Sequence, residues 1–175
     1  EITFAELIKG AGYQTACIGK WDVSNRKPII DRMPNAQGFD YFFGALGAND
    51  GGTVKFHENN KEAGSSKDMG GLTTLYTDKS IDFLKNKRDP KKPFILYLAH
   101  TMMHTIIDAS ERFRGKSKGG LYGDVVEEFD YETGRLLDVL DELKLSDNTL
   151  VLYTSDNGPW NQDKYTKNKK GHPEG

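Results

Sequence analysis

Three short polar clusters in this 175-residue chain could do chemistry on an anionic group. The last of them, Ser155-Asp156-Asn157-Gly158, sets a carboxylate and an amide oxygen side by side. Hard cations such as Ca2+ and Mg2+ take oxygen ligands of this kind. Two oxygens are too few for Ca2+, so further ligands must come from elsewhere. The same tetrapeptide is a common strand-end turn, and taken alone that reading is the better one. The first cluster, Gly19-Lys20-Trp21-Asp22, offers an ammonium that could hold an anionic oxygen as a point charge. Taken alone, a solvated lysine is the plainer reading. The middle cluster runs from His100 to His104. His104 could donate a hydrogen bond to an anion or act as a general acid, whereas His100, closer to an apolar run, reads as a buried structural residue. His57 and His172 have no partner that the sequence names.

Each cluster follows an apolar run that must position it. Gln14 to Ile18 reads as a short buried strand, and Phe94 to Ala99 as a central parallel strand. Thr149 to Thr154 reads as another buried strand, ending at Ser155. Helices are expected between them. Thr3-Phe4-Ala5-Glu6 has capping-box spacing, with Gly10 and Gly12 as the stop. A second helix is expected from Thr77-Asp78, with Ile81 and Leu84 inward. Val125, Phe129, Leu136, Leu140 and Leu143 mark one face of a long helix from about 122 to 145. Residues 23–72 are rich in Gly, Asn, Asp and Pro with little periodicity, and read as a long irregular, insertion-like segment.

Strands alternating with helices predict an α/β fold, a three-layer sandwich around a mostly parallel sheet. Ligands in such sheets gather beyond the carboxyl ends of the strands. All three clusters lie at such ends, which argues for one site. Cys17 falls inside a predicted strand and reads as a small core residue, not a nucleophile. Arg26, Lys27 and Arg32 could touch an anionic substrate but read as solvated loop residues.

The net charge is −2, so no general attraction to nucleic acid is expected. No apolar run approaches the roughly 20 residues of a membrane helix. Both termini read as cuts within a longer protein, and oligomeric state is not legible.

Taken in order, several segments resemble the sulfatase family, within the alkaline-phosphatase-like superfamily. They are Thr3-Phe4-Ala5-Glu6-Leu7-Ile8-Lys9-Gly10-Ala11-Gly12-Tyr13-Gln14-Thr15, then Gly19-Lys20-Trp21, then Gly38-Phe39-Asp40-Tyr41-Phe42-Phe43-Gly44. Pro93-Phe94-Ile95-Leu96-Tyr97-Leu98-Ala99 with His104 follows, and then Thr149 to Pro159. The ordered set covers most of the chain and reverses the odds on Asp156 and Asn157. The resemblance implies that residues 1–175 are part of a sulfatase catalytic domain. Asp156 and Asn157 would bind a divalent cation, Ca2+ or alternatively Mg2+. Lys20 would hold the sulfate, and His104 would contact it or the leaving oxygen. The nucleophile would be a formylglycine, supplied outside this chain. The family's Cys/Ser-x-Pro-x-Arg motif is absent here, and Cys17 is not that residue.

Two further departures stand out. Asp22 occupies the position after Gly-Lys-Trp where the family usually has His. As a carboxylate it could accept a sugar hydrogen bond or orient Lys20. Lys169 precedes Glu174-Gly175 as the counterpart of a late substrate-binding lysine, but a lysine beyond Gly175 suits that spacing better. The implied activity is hydrolysis of an aryl or carbohydrate sulfate ester, in a periplasmic or secreted protein by family habit. The alternatives are a phosphatase, phosphodiesterase or phosphonate hydrolase of the same superfamily, and a non-catalytic member that binds sulfated glycans or Ca2+.

Overall fold

The computed structural model describes residues 1–158. Its centre is a five-stranded sheet in the order β4-β3-β2-β1-β5. The strands are β1 (Gln14–Lys20), β2 (Tyr41–Ala45), β3 (Val54–Glu58), β4 (Lys61–Ser66) and β5 (Phe94–Ala99). β1 runs parallel to both β2 and β5, while β3 and β4 add as an antiparallel hairpin at one edge. α2 (Leu72–Asp82) and α3 (Gly120–Glu142) are the two longest helices.

Strand alternation splits the core in two. Ala16, Ile18, Tyr41, Phe43 and Ala45 share one cluster with Leu72 and Tyr76 of α2 and Val125 and Leu140 of α3. Cys17 and Phe42 face the other way, onto Ala5 of α1 (Phe4–Gly10) and onto Met33 and Phe39. The result is the expected three-layer α/β arrangement. Thr3 caps α1 as its spacing predicts: its hydroxyl accepts from the Glu6 N–H, and the Glu6 carboxylate accepts from the Thr3 N–H.

Three expectations need correction. Residues 23–72 are not irregular. They hold β2, β3, β4, two 3-10 turns and the first residue of α2. Their signal was hidden because β2 (Tyr41-Phe42-Phe43-Gly44-Ala45) is buried on both faces, which erases the period of two, and β4 (Lys61-Glu62-Ala63-Gly64-Ser65-Ser66) is exposed along almost its whole length and has no apolar face. α2 starts at Leu72, five residues before the expected Thr77. Burial of Leu72, Thr73 and Tyr76 outweighs the weak helix preference of Thr73-Thr74. Finally, Thr149 to Thr154 is not a strand and is not buried. Leu150 and Leu152 are 84% and 82% exposed. A continuous apolar run becomes a central strand only where a neighbour supplies its hydrogen bonds and helices cover it. Among the described residues, β5 pairs only with β1, and nothing pairs with 149–154.

α3 carries three solvent-shielded carboxylates, Asp124, Glu128 and Glu132. The Thr74 hydroxyl of α2 lies within hydrogen-bond distance of both Glu128 and Glu132, and Arg135 joins Glu132 to Asp78. Asp124 accepts from the backbone N–H groups of Gly115, Lys116 and Ser117 at 2.7, 3.0 and 2.7 Å. Desolvation opposes its charge, but the three N–H donors prevail and hold its carboxyl below the usual range. The 115–117 loop supplies all three donors, so that loop is the element it secures. Asp124→Ala strands three N–H groups and is expected to cost about 2–3 kcal/mol in urea denaturation. A loss below about 0.5 kcal/mol would show that water replaces the carboxylate freely.

Candidate active site

Parallel register brings three strand ends to one level. Lys20, the last residue of β1, pairs with Ala45, the last residue of β2. Gly19 pairs with Ala99, the last residue of β5. The connections leaving these ends carry Asp22 and Arg26, then Asn49 and Asp50, then His100 to His104. This is the side of the sheet where ligands of such folds collect.

The approach of β1 to its neighbours depends on glycine. A Cβ on Gly19 would overlap the carbonyl oxygen of Ala99, and one on Gly44 would overlap that of Gly19. Gly19 also has φ +107°, a conformation L side chains rarely adopt. Gly19 therefore sets where the next residue, Lys20, emerges.

Lys20 is partly exposed, with its ammonium 3.9 Å from Asp22. Asp22 has a closer cation. Arg26 grips it with two hydrogen bonds, Nε and Nη2 each at 3.1 Å from a carboxylate oxygen. Arg26 also reaches Asp50 at 3.5 Å and packs its side chain over Gly47. Both oxygens of Asp22 are thus engaged within the protein, and much of its charge is balanced by Arg26 rather than by Lys20. Arg26 is accordingly a structural member of this corner, beyond the solvated loop residue expected of it.

His104 is exposed, its Nδ1 2.6 Å from the carbonyl of Thr105. His100 lies lower, its ring 4.8 Å from that of Phe129 and 6.2 Å from that of Tyr76. Its Nδ1 is sealed from solvent without a partner among the described residues, and desolvation lowers its pKa to about 4. This agrees with its reading as a structural residue, although one nitrogen goes unsatisfied. Cys17 is fully buried, and burial pushes its thiol far above the ordinary range. That suits a core residue and not a nucleophile.

Asp156 and Asn157 form an exposed bend in which the Ser155 hydroxyl donates to the Asn157 carbonyl. Burial chiefly raises the pKa of Tyr97 on β5, and the Asp156 carboxylate adds to the rise. The two oxygen donors suit a hard cation in kind but not in number. Among the described residues no three His, Cys, Asp or Glu side chains gather around one point. The structure thus gathers the Lys20, Asp22 and His104 segments and, among the described residues, leaves Asp156 and Asn157 on a segment without a strand partner. Lys169 lies outside the described residues.

Sequence reasoning missed Asn49, which is fully buried where the β2–β3 connection meets the His104 loop. Its signal was present: Asn49-Asp50-Gly51-Gly52 is a turn sequence just after an apolar run, like the other three clusters.

Known proteins share much of this chain's sequence and fold. The N-acetylgalactosamine-6-sulfatase of Sus scrofa is 35% identical over 173 residues, covering 87% of this chain and 32% of that protein. The arylsulfatase of Hemicentrotus pulcherrimus is 32% identical over 177 residues, covering 91% of this chain and 32% of that protein. The chain thus spans about a third of the length of these relatives. Two solved structures share the fold. One, from work on glycosaminoglycan metabolism by Bacteroides thetaiotaomicron, has a TM-score of 0.77 at 24% identity and covers 90% of this chain and 45% of that one. The other, Ps i-CgsB in complex with k-i-k-neocarrahexaose, has a TM-score of 0.68 at 24% identity and covers 82% of this chain and 37% of that one. Among the described residues, no helix is long and apolar enough to cross a membrane. The family model described as Sulfatase matches residues 1–175, and the chain belongs to the sulfatase family.

Proposed function

We propose that the full-length protein hydrolyses sulfate esters of carbohydrate or aryl substrates, and that this chain supplies the anion-binding corner of its active site. The observation that carries the reading is the strand-end register: Lys20 emerges between two parallel neighbours, level with the start of the loop that bears His104. The Lys20 ammonium holds a sulfate oxygen as a point charge. As the incoming nucleophile bonds to sulfur and the ester S–O bond breaks, His104 gives a proton to the leaving ester oxygen, so the alcohol departs neutral. Asp22, held by Arg26, orients Lys20 and edges the sugar. Asp156 and Asn157 provide two of the oxygens for a divalent cation, Ca2+ or alternatively Mg2+, and Lys169 stands as a less favoured candidate for a late sulfate contact. Such a cation, when bound, withdraws charge from the sulfate oxygens. The nucleophile is a formylglycine carried outside this chain. A periplasmic or secreted location follows family habit.

The relatives named for N-acetylgalactosamine 6-sulfate and aryl sulfates support the substrate class. The test is turnover by the full-length protein of an aryl sulfate beside the matching aryl phosphate diester. Sulfate release is expected, and Lys20→Ala should lower kcat/KM by roughly 10²-fold, about 2.7 kcal/mol of transition-state stabilisation. Turnover of the phosphate diester without the sulfate, or full activity in the alanine variant, would overturn the reading.

A further inference from the structure

We infer that Asn49 is the positioning residue that fixes His104 against Lys20; this rests on the function proposed above. Asn49 is fully buried, unlike the exposed Asp50 beside it. Its Nδ2 donates to two backbone carbonyls of one loop, Ile106 at 2.8 Å and His104 itself at 3.4 Å. Those two acceptors fix the amide's orientation, because turning it over would set its oxygen against two carbonyl oxygens. Its Oδ1 is buried with no partner among the described residues. A side chain with one end unsatisfied is a costly way to fill space, and the two hydrogen bonds to the His104 loop are its compensation.

The next residue extends the connection to the other wall. Asp50 meets Arg26, Arg26 grips Asp22, and Asp22 lies 3.9 Å from Lys20. Asn49-Asp50 therefore ties the loop after β5 to the loop after β1. Only the Asn49 half is sealed from water, and an interaction held out of water keeps its geometry better than the exposed ion pairs can. The expected consequence concerns chemistry more than affinity. A proton donor displaced by about 1 Å loses rate, while the Lys20 contact that holds the anion persists.

The test is a double-mutant cycle in the full-length protein with an aryl sulfate. Asn49→Ala is expected to lower kcat by roughly 10- to 100-fold with KM changed less than about threefold. In a His104→Ala background the same change should cost less than about threefold, because the group it positions is gone. Equal loss in both backgrounds would overturn the inference. Asn49→Thr, whose single hydroxyl can reach one carbonyl, should fall between wild type and alanine and guards against a misfolded alanine variant; a thermal transition reports the folding of each. The His104 ring NMR signals read the contact without turnover. They should shift in Asn49→Thr while those of His57 stay in place, and unchanged His104 signals would sink the inference. A wild-type protein inactive on sulfate esters would defeat the functional reading, but this NMR result would still stand or fall separately.

Discussion

Gly19→Ala is expected to be the most damaging single-methyl change in this chain, costing more than about 4 kcal/mol or preventing folding. Two independent penalties meet at this position. The backbone sits at φ +107°, where an L side chain is strained by about 1–2 kcal/mol. The added Cβ would also overlap the Ala99 carbonyl on β5, which is backbone and cannot swing aside as a flexible side chain could. Relief would require β1 and β5 to part, and their six-residue parallel pairing from Gln14 to Gly19 holds the middle of the sheet. Thermal unfolding followed by circular dichroism should show the midpoint lowered by roughly 10 °C or more, if a transition survives at all. Gly10→Ala is the control. Gly10 ends α1 with nothing within 4 Å of the added methyl, so little change is expected there. A Gly19→Ala protein within about 1 kcal/mol of wild type would show that the strands are not packed as described.

Acid should destabilise the fold well before its carboxylates titrate, and His100 is the reason. Burial lowers its folded pKa to about 4, against about 6.5 when the chain is unfolded. The unfolded state therefore binds the proton first as pH falls. Stability attributable to His100 is fully present above pH 6.5 and is lost as pH drops from 6.5 towards 4. The whole shift corresponds to about 3 kcal/mol, and the part of the residue that still meets solvent trims this to about 2–3. Asp40, Glu58 and Asp124 also lose stabilisation in acid. Their carboxyl groups are held below the ordinary range, so that loss begins only near the ordinary carboxylate pKa of about 4, at the foot of the His100 window. Urea midpoints across pH 7 to 4 should fall in wild type. The slope should flatten in His100→Phe, which keeps the aromatic contacts with Phe129 and Tyr76 and removes the titration. An unchanged slope in that variant would assign the acid sensitivity elsewhere.

The amino-acid sequence by itself determined the elements whose signals are local. The capping box of Thr3 and Glu6, the apolar run of β5 and the long stripe of α3 all depend on neighbours within a few residues. Each appears within about three residues of its expected place. The ordered motifs likewise carried the family, because they are strings of residues and need no coordinates. Only the tertiary structure decided features that depend on what lies across the sheet. β2 reads as irregular until both of its faces are seen to be covered, and α2 starts early because the core accepts Leu72 and Tyr76. Thr149 to Thr154 looks like a central strand, yet among the described residues it has no strand partner, because its hydrogen bonds must come from a neighbour its own residues cannot specify. The three clusters that first suggested chemistry divide on the same line. Their residue types were legible at once. That Asn49 holds the His104 loop followed only from bonds made across 55 and 57 positions of chain.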